Sequence, residues 1–386
     1  MPTPVREISK RLSSLLLITV LTACSAPSTT PATATSRPIT SATMISPPTP
    51  ATARSDPSDQ EIVSRSEDLL NNMIFDGAVL IARDGRVLLS KGYGEADRQK
   101  RLPNTAQTKF RIASNTKQFT STAVLILQAH GKLNVQDHVC IYISNCPAAW
   151  KTITLHHLLT HTSGIPDYYT SPDWTAFQST PITPTGVMSH FIDKPLDFQP
   201  GERWKYSNSG YTVLGVIIEK VSGLTYEEFV KENILAPLNM TDTGYLDNPG
   251  GMAVGYTDAT TTSQADFEDA SGLFASGGLY STVEDLYLWD RALYTDKLLP
   301  QDLWQKMFTP YVSVPNMDGF GYGYGWEIGQ IANHPVIAHM GRINGFSSFN
   351  TYYPDSKVAI IVLGNQQNES VFYIGEQLAR IIFGAE

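Results

Sequence analysis

The strand-like segments of this chain lie towards its two ends, with a long helix-like stretch between them. Gly77–Arg83 and Arg86–Lys91 are apolar runs joined by Asp84-Gly85, a dipeptide that supplies the positive φ angles of a tight hairpin. Far along the chain, Val336–Met340, Ser347–Tyr353 and Lys357–Gly364 read as three further strands, the last two turned by Pro354-Asp355-Ser356. Unpaired strand edges must find partners, so the two sets are expected to meet in one antiparallel sheet. The helix-rich middle, roughly residues 132–270, then becomes a mainly helical lobe inserted into an α+β fold. Three helices complete the expectation. Gln60–Met73 opens the domain, Glu376–Phe383 closes it, and Ser114–His130 lacks Pro and Gly until it stops at Gly131.

Composition narrows the class. The 386 residues are 42% hydrophobic and 17% charged, enough apolar matter for a substantial core and unlike collagen, coiled coils or disordered chains. No run reaches the roughly 18 apolar residues of a membrane span. The formal charge of −9 is unevenly spread: residues 1–58 carry Arg6, Lys10, Arg11, Arg37 and Arg54 against Glu7 and Asp56. The remainder is strongly acidic and has no basic cluster, which excludes a nucleic-acid partner.

The N-terminal segment reads as targeting rather than fold. Arg6, Lys10 and Arg11 precede the apolar run Leu12–Val20, followed by Leu21-Thr22-Ala23-Cys24. This is the pattern of an export signal over residues 1–23. It resembles a bacterial lipobox, in which Cys24 is lipidated and becomes the mature N-terminus; an ordinary signal with an incidental Cys is the alternative. From 25 to 58, 28 of 34 positions are Ser, Thr, Pro or Ala, so residues 24–58 form a tether too polar to offset its ordering entropy. The expected location is the bacterial cell envelope, exported and held to a membrane by the N-terminal lipid. The domain itself spans 59–386. Cys140 and Cys146 are read as a disulfide, with two buried thiols as the alternative. With no CxxC or clustered His beside them, they do not form a zinc site.

The chemistry-bearing residues begin with Ser114-Asn115-Thr116-Lys117. Spacing of i, i+3 sets a hydroxyl and an amine one helical turn apart, and a neutral Lys can take a proton from Ser. Half-deprotonation of Lys117 near pH 7 requires the folded site to disfavour its charged form by roughly 4–5 kcal/mol. Burial and the positive end of a helix both act in that direction. There is no G-x-S-x-G elbow. Instead, Tyr206-Ser207-Asn208 is the only Y-x-N and His339-Met340-Gly341 the only H-x-G of the chain.

In order and spacing these three boxes resemble the serine β-lactamase and penicillin-binding-protein group. The likeness is to the branch with Tyr in the second box, which includes class C β-lactamases, D-alanyl-D-alanine carboxypeptidases, D-aminopeptidases and carboxylesterases. Leu158–Ile165, Gln199-Pro200-Gly201, Ala275–Ser281 and Gly341–Phe346 resemble the same branch, so the likeness extends over about residues 60–384. It implies an acylated nucleophile at Ser114, a base at Lys117, and a phenolate or proton relay at Tyr206. Asn208 would bind Lys117 and the substrate amide, and the strand of His339, Gly341 and Arg342 would align substrate. The implied oxyanion hole is made by the Ser114 and Arg342 amides.

Departures from the group are informative. His339 stands where many relatives have Lys, Met340 where they have Thr or Ser, and Arg342 where a small residue is common. The expected activity is therefore ester or amide hydrolysis, including D-amino-acid peptides, on a small-molecule ester or peptide substrate without cofactor or metal. A weak binder of β-lactams or peptidoglycan fragments, or a true β-lactamase, is the alternative. His156, His157 and His161 are read as packing rather than a metal patch, and Tyr322, Tyr324 and Trp326 as strand packing, with one of them lining the pocket as the alternative. The aromatic segment Pro166–Pro200 is read as either a cover over the site or a surface excursion.

Overall fold

Asp84 and Gly85 both adopt positive φ, 52° and 78°, and they close the hairpin of β1 (Gly77–Arg83) and β2 (Arg86–Tyr93). The computed structural model describes residues 57–245, 250–258, 260–367 and 370–385. The expected export signal, Cys24 and the tether lie outside those residues. Six more strands follow late in the sequence: β3 (Val312–Ser313), β4 (Gly321–Tyr322), β5 (Glu327–Ile331), β6 (His334–Ile343), β7 (Phe346–Tyr353) and β8 (Val358–Gly364). They join the hairpin in one sheet of order β2-β1-β8-β7-β6-β5-β4-β3. Every neighbour pair is antiparallel. The expected meeting of the two ends is the β1–β8 pair, with Gly77 opposite Gly364 and Arg83 opposite Val358.

Both faces of that central pair are covered, which explains its unbroken apolar sequence. Val79, Ile81, Ile360 and Val362 point to one core. It is shared with α1 (Asp59–Asn71) and α6 (Ser370–Phe383) through Ile62, Leu70, Val371, Ile374 and Leu378. Alternate residues Ala78, Leu80, Ile361 and Leu363 face the larger core. There they meet α2 (Thr116–Ala129), α3 (Asn208–Ser222), α4 (Ala270–Gly277) and α5 (Val283–Ala292). In α2 every residue from Thr116 to Leu127 is buried. The inserted stretch is mainly helical as expected, though its Gly244–Tyr245 joins Phe110–Arg111 and Leu279–Ser281, which precede and follow it, in a small sheet. Cys140 and Cys146 are bonded, closing the loop around 141–145.

Element ends shift by a few residues from expectation, and three of the differences have a local reason. The β5–β6 turn uses Ala332 and Asn333, at φ 51° and 63°, so a tight hairpin forms without the usual Asn-Gly signal and β6 starts at His334. The closing helix begins at Ser370 rather than Glu376. Gly375 conceals its first turns in the sequence, but a Cβ there would lie 2.4 Å from the Phe349 ring, so the helix needs glycine to pack on β7. The third difference is at Ser114. It lies on a 3₁₀ turn, Ala113–Asn115, before α2 proper.

Candidate active site

That turn is bolted to the sheet. The Ile112 carbonyl accepts from Asn115 N at 3.1 Å and from Ser348 Oγ of β7 at 2.7 Å. Asn115 Nδ2 in turn donates to Ser348 Oγ at 2.8 Å. Ala113 is held at φ 48°, a conformation that costs a non-glycine residue about 1–3 kcal/mol and persists where surroundings enforce it. Gly341 of β6 completes the seat, since a Cβ there would fall 2.4 Å from Ile112 O and 3.0 Å from Ser114 N. Only glycine lets the strand that carries Arg342 run this close to the Ser114 amide.

Ser114 Oγ receives two donors: Lys117 Nζ at 3.1 Å and Tyr206 OH at 2.8 Å. Lys117 is fully buried, and its amine also donates to Asn208 Oδ1 at 2.8 Å and to the Ser276 carbonyl at 2.7 Å. The Ser276 carbonyl follows a break in α4 at Phe274 (φ 43°, ψ −134°). Loss of water is the dominant influence on Lys117 and brings its pKa down to about 7, against the opposing pull of Asp167. Asp167 is itself fixed, accepting from Asn208 N at 2.8 Å and Asn208 Nδ2 at 3.4 Å. Asn208 is thus oriented at both ends of its amide. Burial holds the Tyr206 hydroxyl far above its ordinary range, with Ser114 opposing. Of the two implied roles for Tyr206, a protonated relay fits and a resident phenolate does not.

A second polar chain lies behind Tyr206. Ser207 N donates to His161 Nδ1 at 3.1 Å, so the other nitrogen of neutral His161 carries the proton. His161 Nε2 sits 3.1 Å from Tyr322 OH, Tyr322 OH 2.9 Å from His339 Nε2, and His339 Nδ1 2.8 Å from the Met340 carbonyl. A carbonyl can only accept, so His339 Nδ1 donates, His339 Nε2 accepts from Tyr322, and Tyr322 accepts from His161. Burial, with Lys117 nearby, pushes His339 down to about 3 and His161 well below its ordinary value. The His161 ring packs on Tyr206 with centroids 4.3 Å apart.

The cleft over Ser114, about 430 Å³, is lined by Tyr206, Asn208, His339, Gly341, Arg342 and others. The expected site residues therefore converge, with Arg342 exposed. His156 and His157 turn elsewhere, to Tyr324 OH and to the Thr154 cap. Among the described residues no group of His, Cys, Asp or Glu could hold a metal. The aromatic segment 166–200 divides. Tyr169 and Thr170 form a wall of the cleft, while Tyr168, Trp174 and Phe191 are buried in the core.

Four residues here were not assigned to the site by the sequence: Asp167, His161, Tyr322 and Glu327. Glu327 carried a signal, being the only charged residue between Asp318 and His334. Chemically, the assembly offers a hydroxyl between an amine able to lose its proton near neutrality and a second proton donor, beside a strand edge.

The beta-lactamase family model matches residues 69–381. A putative penicillin-binding protein PbpX of Bacillus subtilis (strain 168) is 32% identical over 83% of this chain and 78% of its own length. Penicillin-binding protein 4* of the same organism is 29% identical over 80% and 73%. Among solved structures, a penicillin binding protein from Bacillus halodurans superposes with TM-score 0.74 at 29% identity, covering 83% of this chain and 99% of that one. The D-amino acid amidase of Ochrobactrum anthropi SV3 shares the fold, with TM-score 0.75 at 22% identity over 85% and 99%.

Proposed function

The chain belongs to the beta-lactamase family of serine hydrolases, and on that premise we propose that it cleaves an ester or amide through an acyl-enzyme on Ser114. The observation that carries this reading is the pair of contacts on one oxygen, Lys117 Nζ at 3.1 Å and Tyr206 OH at 2.8 Å. Lys117, neutral in part near pH 7, takes the Ser114 proton as Oγ attacks the carbonyl carbon. The developing oxyanion is received by the Ser114 and Arg342 amides, where loss of one donor typically costs about 10²–10³ in rate. Tyr206 gives its proton to the departing oxygen or nitrogen, and Lys117, which holds the proton taken from Ser114, returns it to Tyr206 before the second half-reaction. Water then repeats the sequence, with the amine as base and the acyl group leaving as a carboxylic acid. Asn208 positions Lys117, and its remaining capacity serves the substrate amide.

Neutral His339 and the thioether of Met340 supply neither charge nor hydroxyl to a substrate carboxylate. This supports ester and neutral amide substrates over β-lactams. Residues 1–58 support a place for the enzyme outside the cytoplasm, anchored through a lipid on Cys24; Cys24→Ser should release it from membranes.

A fluorophosphonate probe tests the reading. Mass spectrometry should find the adduct on the Ser114 peptide, and unlabelled enzyme should hydrolyse p-nitrophenyl esters. A penicillin adduct that forms and never turns over, with no esterase activity, would favour a binding protein instead.

A further inference from the structure

Glu327 opens β5 directly opposite Ala338 of β6, and its side chain lines the cleft with Ser114, Tyr206, His339 and Arg342. The proposed mechanism gives it no task. Among the described residues no hydrogen bond or ion pair reaches its carboxylate, and burial alone raises its pKa, to about 7. The other carboxylate of the cleft, Asp167, differs in being committed to Asn208. A partly desolvated carboxylate with no partner is costly unless a ligand meets it.

Its position along the strand says which part of a ligand it faces. Gly341 sits beside the Ser114 amide. Ala338 is three residues earlier, about 10 Å back along the strand at roughly 3.4 Å per residue, and Arg342 lies on the opposite side. Along β6 the cleft thus carries Glu327 on one side of the nucleophile and Arg342 on the other, while Asp167 is held by Asn208. Tyr206 tells the two sides apart, because its hydroxyl serves the leaving group and its ring lies 6.3 Å from that of His339, the neighbour of the Ala338 that Glu327 faces.

We infer that Glu327 receives a positive charge on the leaving-group half of the substrate, as in the ester of a quaternary amino alcohol or the amide of a diamine. The inference rests on the acyl-enzyme reading above. In the first half-reaction the Ser114 Oγ–acyl bond forms, the acyl–oxygen or acyl–nitrogen bond breaks, and the cationic alcohol or amine departs with the Tyr206 proton. Water then releases the acyl group as a carboxylic acid.

Acetylcholine and 3,3-dimethylbutyl acetate test this, since they share shape and differ by one charge on the leaving group. At about pH 8, where a carboxyl of this kind is ionised, wild-type kcat/KM should favour acetylcholine at least about tenfold, mainly through KM. In Glu327→Gln that preference should fall to about one, and Glu327→Asp should retain part of it. Dividing by the neutral ester removes any change the substitution makes to the catalytic groups. A second pair, D-alanyl and isobutyryl p-nitroanilide, places the charge on the acyl half. A wild-type preference near one, a preference unchanged in Glu327→Gln, or an effect confined to the second pair overturns the inference. A wild type that takes no fluorophosphonate label sinks the acyl-enzyme reading together with it, whereas labelling without charge preference sinks the inference alone.

Discussion

Two polar clusters lie against the Tyr206 ring, and they handle protons in opposite ways. In front, Ser114 Oγ is approached by both Lys117 and Tyr206, and Lys117 titrates near 7. Ownership of a proton there changes at little cost. Behind, the chain from Ser207 through His161, Tyr322 and His339 to the Met340 carbonyl admits a single assignment of every proton. Neither histidine becomes charged near neutrality. Both clusters are buried among similar residues. What separates them is closure: the rear chain ends on a backbone amide and a backbone carbonyl, whereas the front cluster ends in the open cleft. A closed network stabilises and orients, while an open one can exchange protons with a substrate.

Substitutions should divide along that line. Ser114→Ala is expected to lower ester hydrolysis at least about 10³-fold and to abolish labelling, with the melting temperature little changed. Lys117→Ala should do nearly the same, and the double variant should be scarcely worse than either. More than a few per cent of activity left in Ser114→Ala would place the nucleophile elsewhere. Tyr322→Phe strikes the rear cluster and should show the converse balance. It strands the His161 N–H and deprives His339 Nε2 of its donor, at about 1–3 kcal/mol for each buried group. Urea unfolding should register that loss while kcat falls less than about tenfold; equal damage to both would mean the clusters act as one.

The pH response sharpens the contrast further. Activity should rise through about 7 as Lys117 loses its proton, being about tenfold lower one pH unit below that midpoint. A maximum in the acid range would implicate a carboxylate base. The buried histidines should make stability decline below about 6.5, where the unfolded chain binds protons that His339, at about 3 in the fold, refuses, against an opposing gain from Glu327, which the fold protonates from about 7. Each such histidine contributes about 2 kcal/mol to the decline by about pH 5, measurable by denaturant titration. The smallest effect concerns the cleft's chemistry. Short-chain esters should exceed nitrocefin about tenfold in kcat/KM, and Met340→Thr should narrow the gap a few-fold by adding a hydroxyl. Nitrocefin turnover that is efficient in the wild type and lost in Arg342→Ala would show Arg342 to be a carboxylate anchor.

The sheet's ends, the S-x-x-K turn and the Tyr206 and His339 boxes were legible in the sequence because each has a local signature: alternation, fixed spacing or a turn dipeptide. The partners of these residues were not. Asp167 reaches Asn208 across 41 positions and Tyr322 reaches His161 across 161, and no local pattern encodes such pairs. Gly375 and the Ala332-Asn333 turn misled in a related way. A ring packed on a glycine and a hairpin held by its strands are tertiary facts that override propensity. Glu327 stood out by charge, but only its place on β5 ties it to Ser114.

The bolt between Ser348 and the Ile112 carbonyl, described above as geometry, also sets a schedule. The two residues are 236 positions apart, and β1 likewise waits for β8 to cover its free edge. A ribosome adding about 5–20 residues per second needs over ten seconds to span that gap. Until then the nucleophile turn has no sheet to hold Ala113 in its strained conformation. Competence for acyl transfer is therefore a late event in this protein's synthesis, and a nascent chain that already displays Ser114 and Lys117 is still chemically silent.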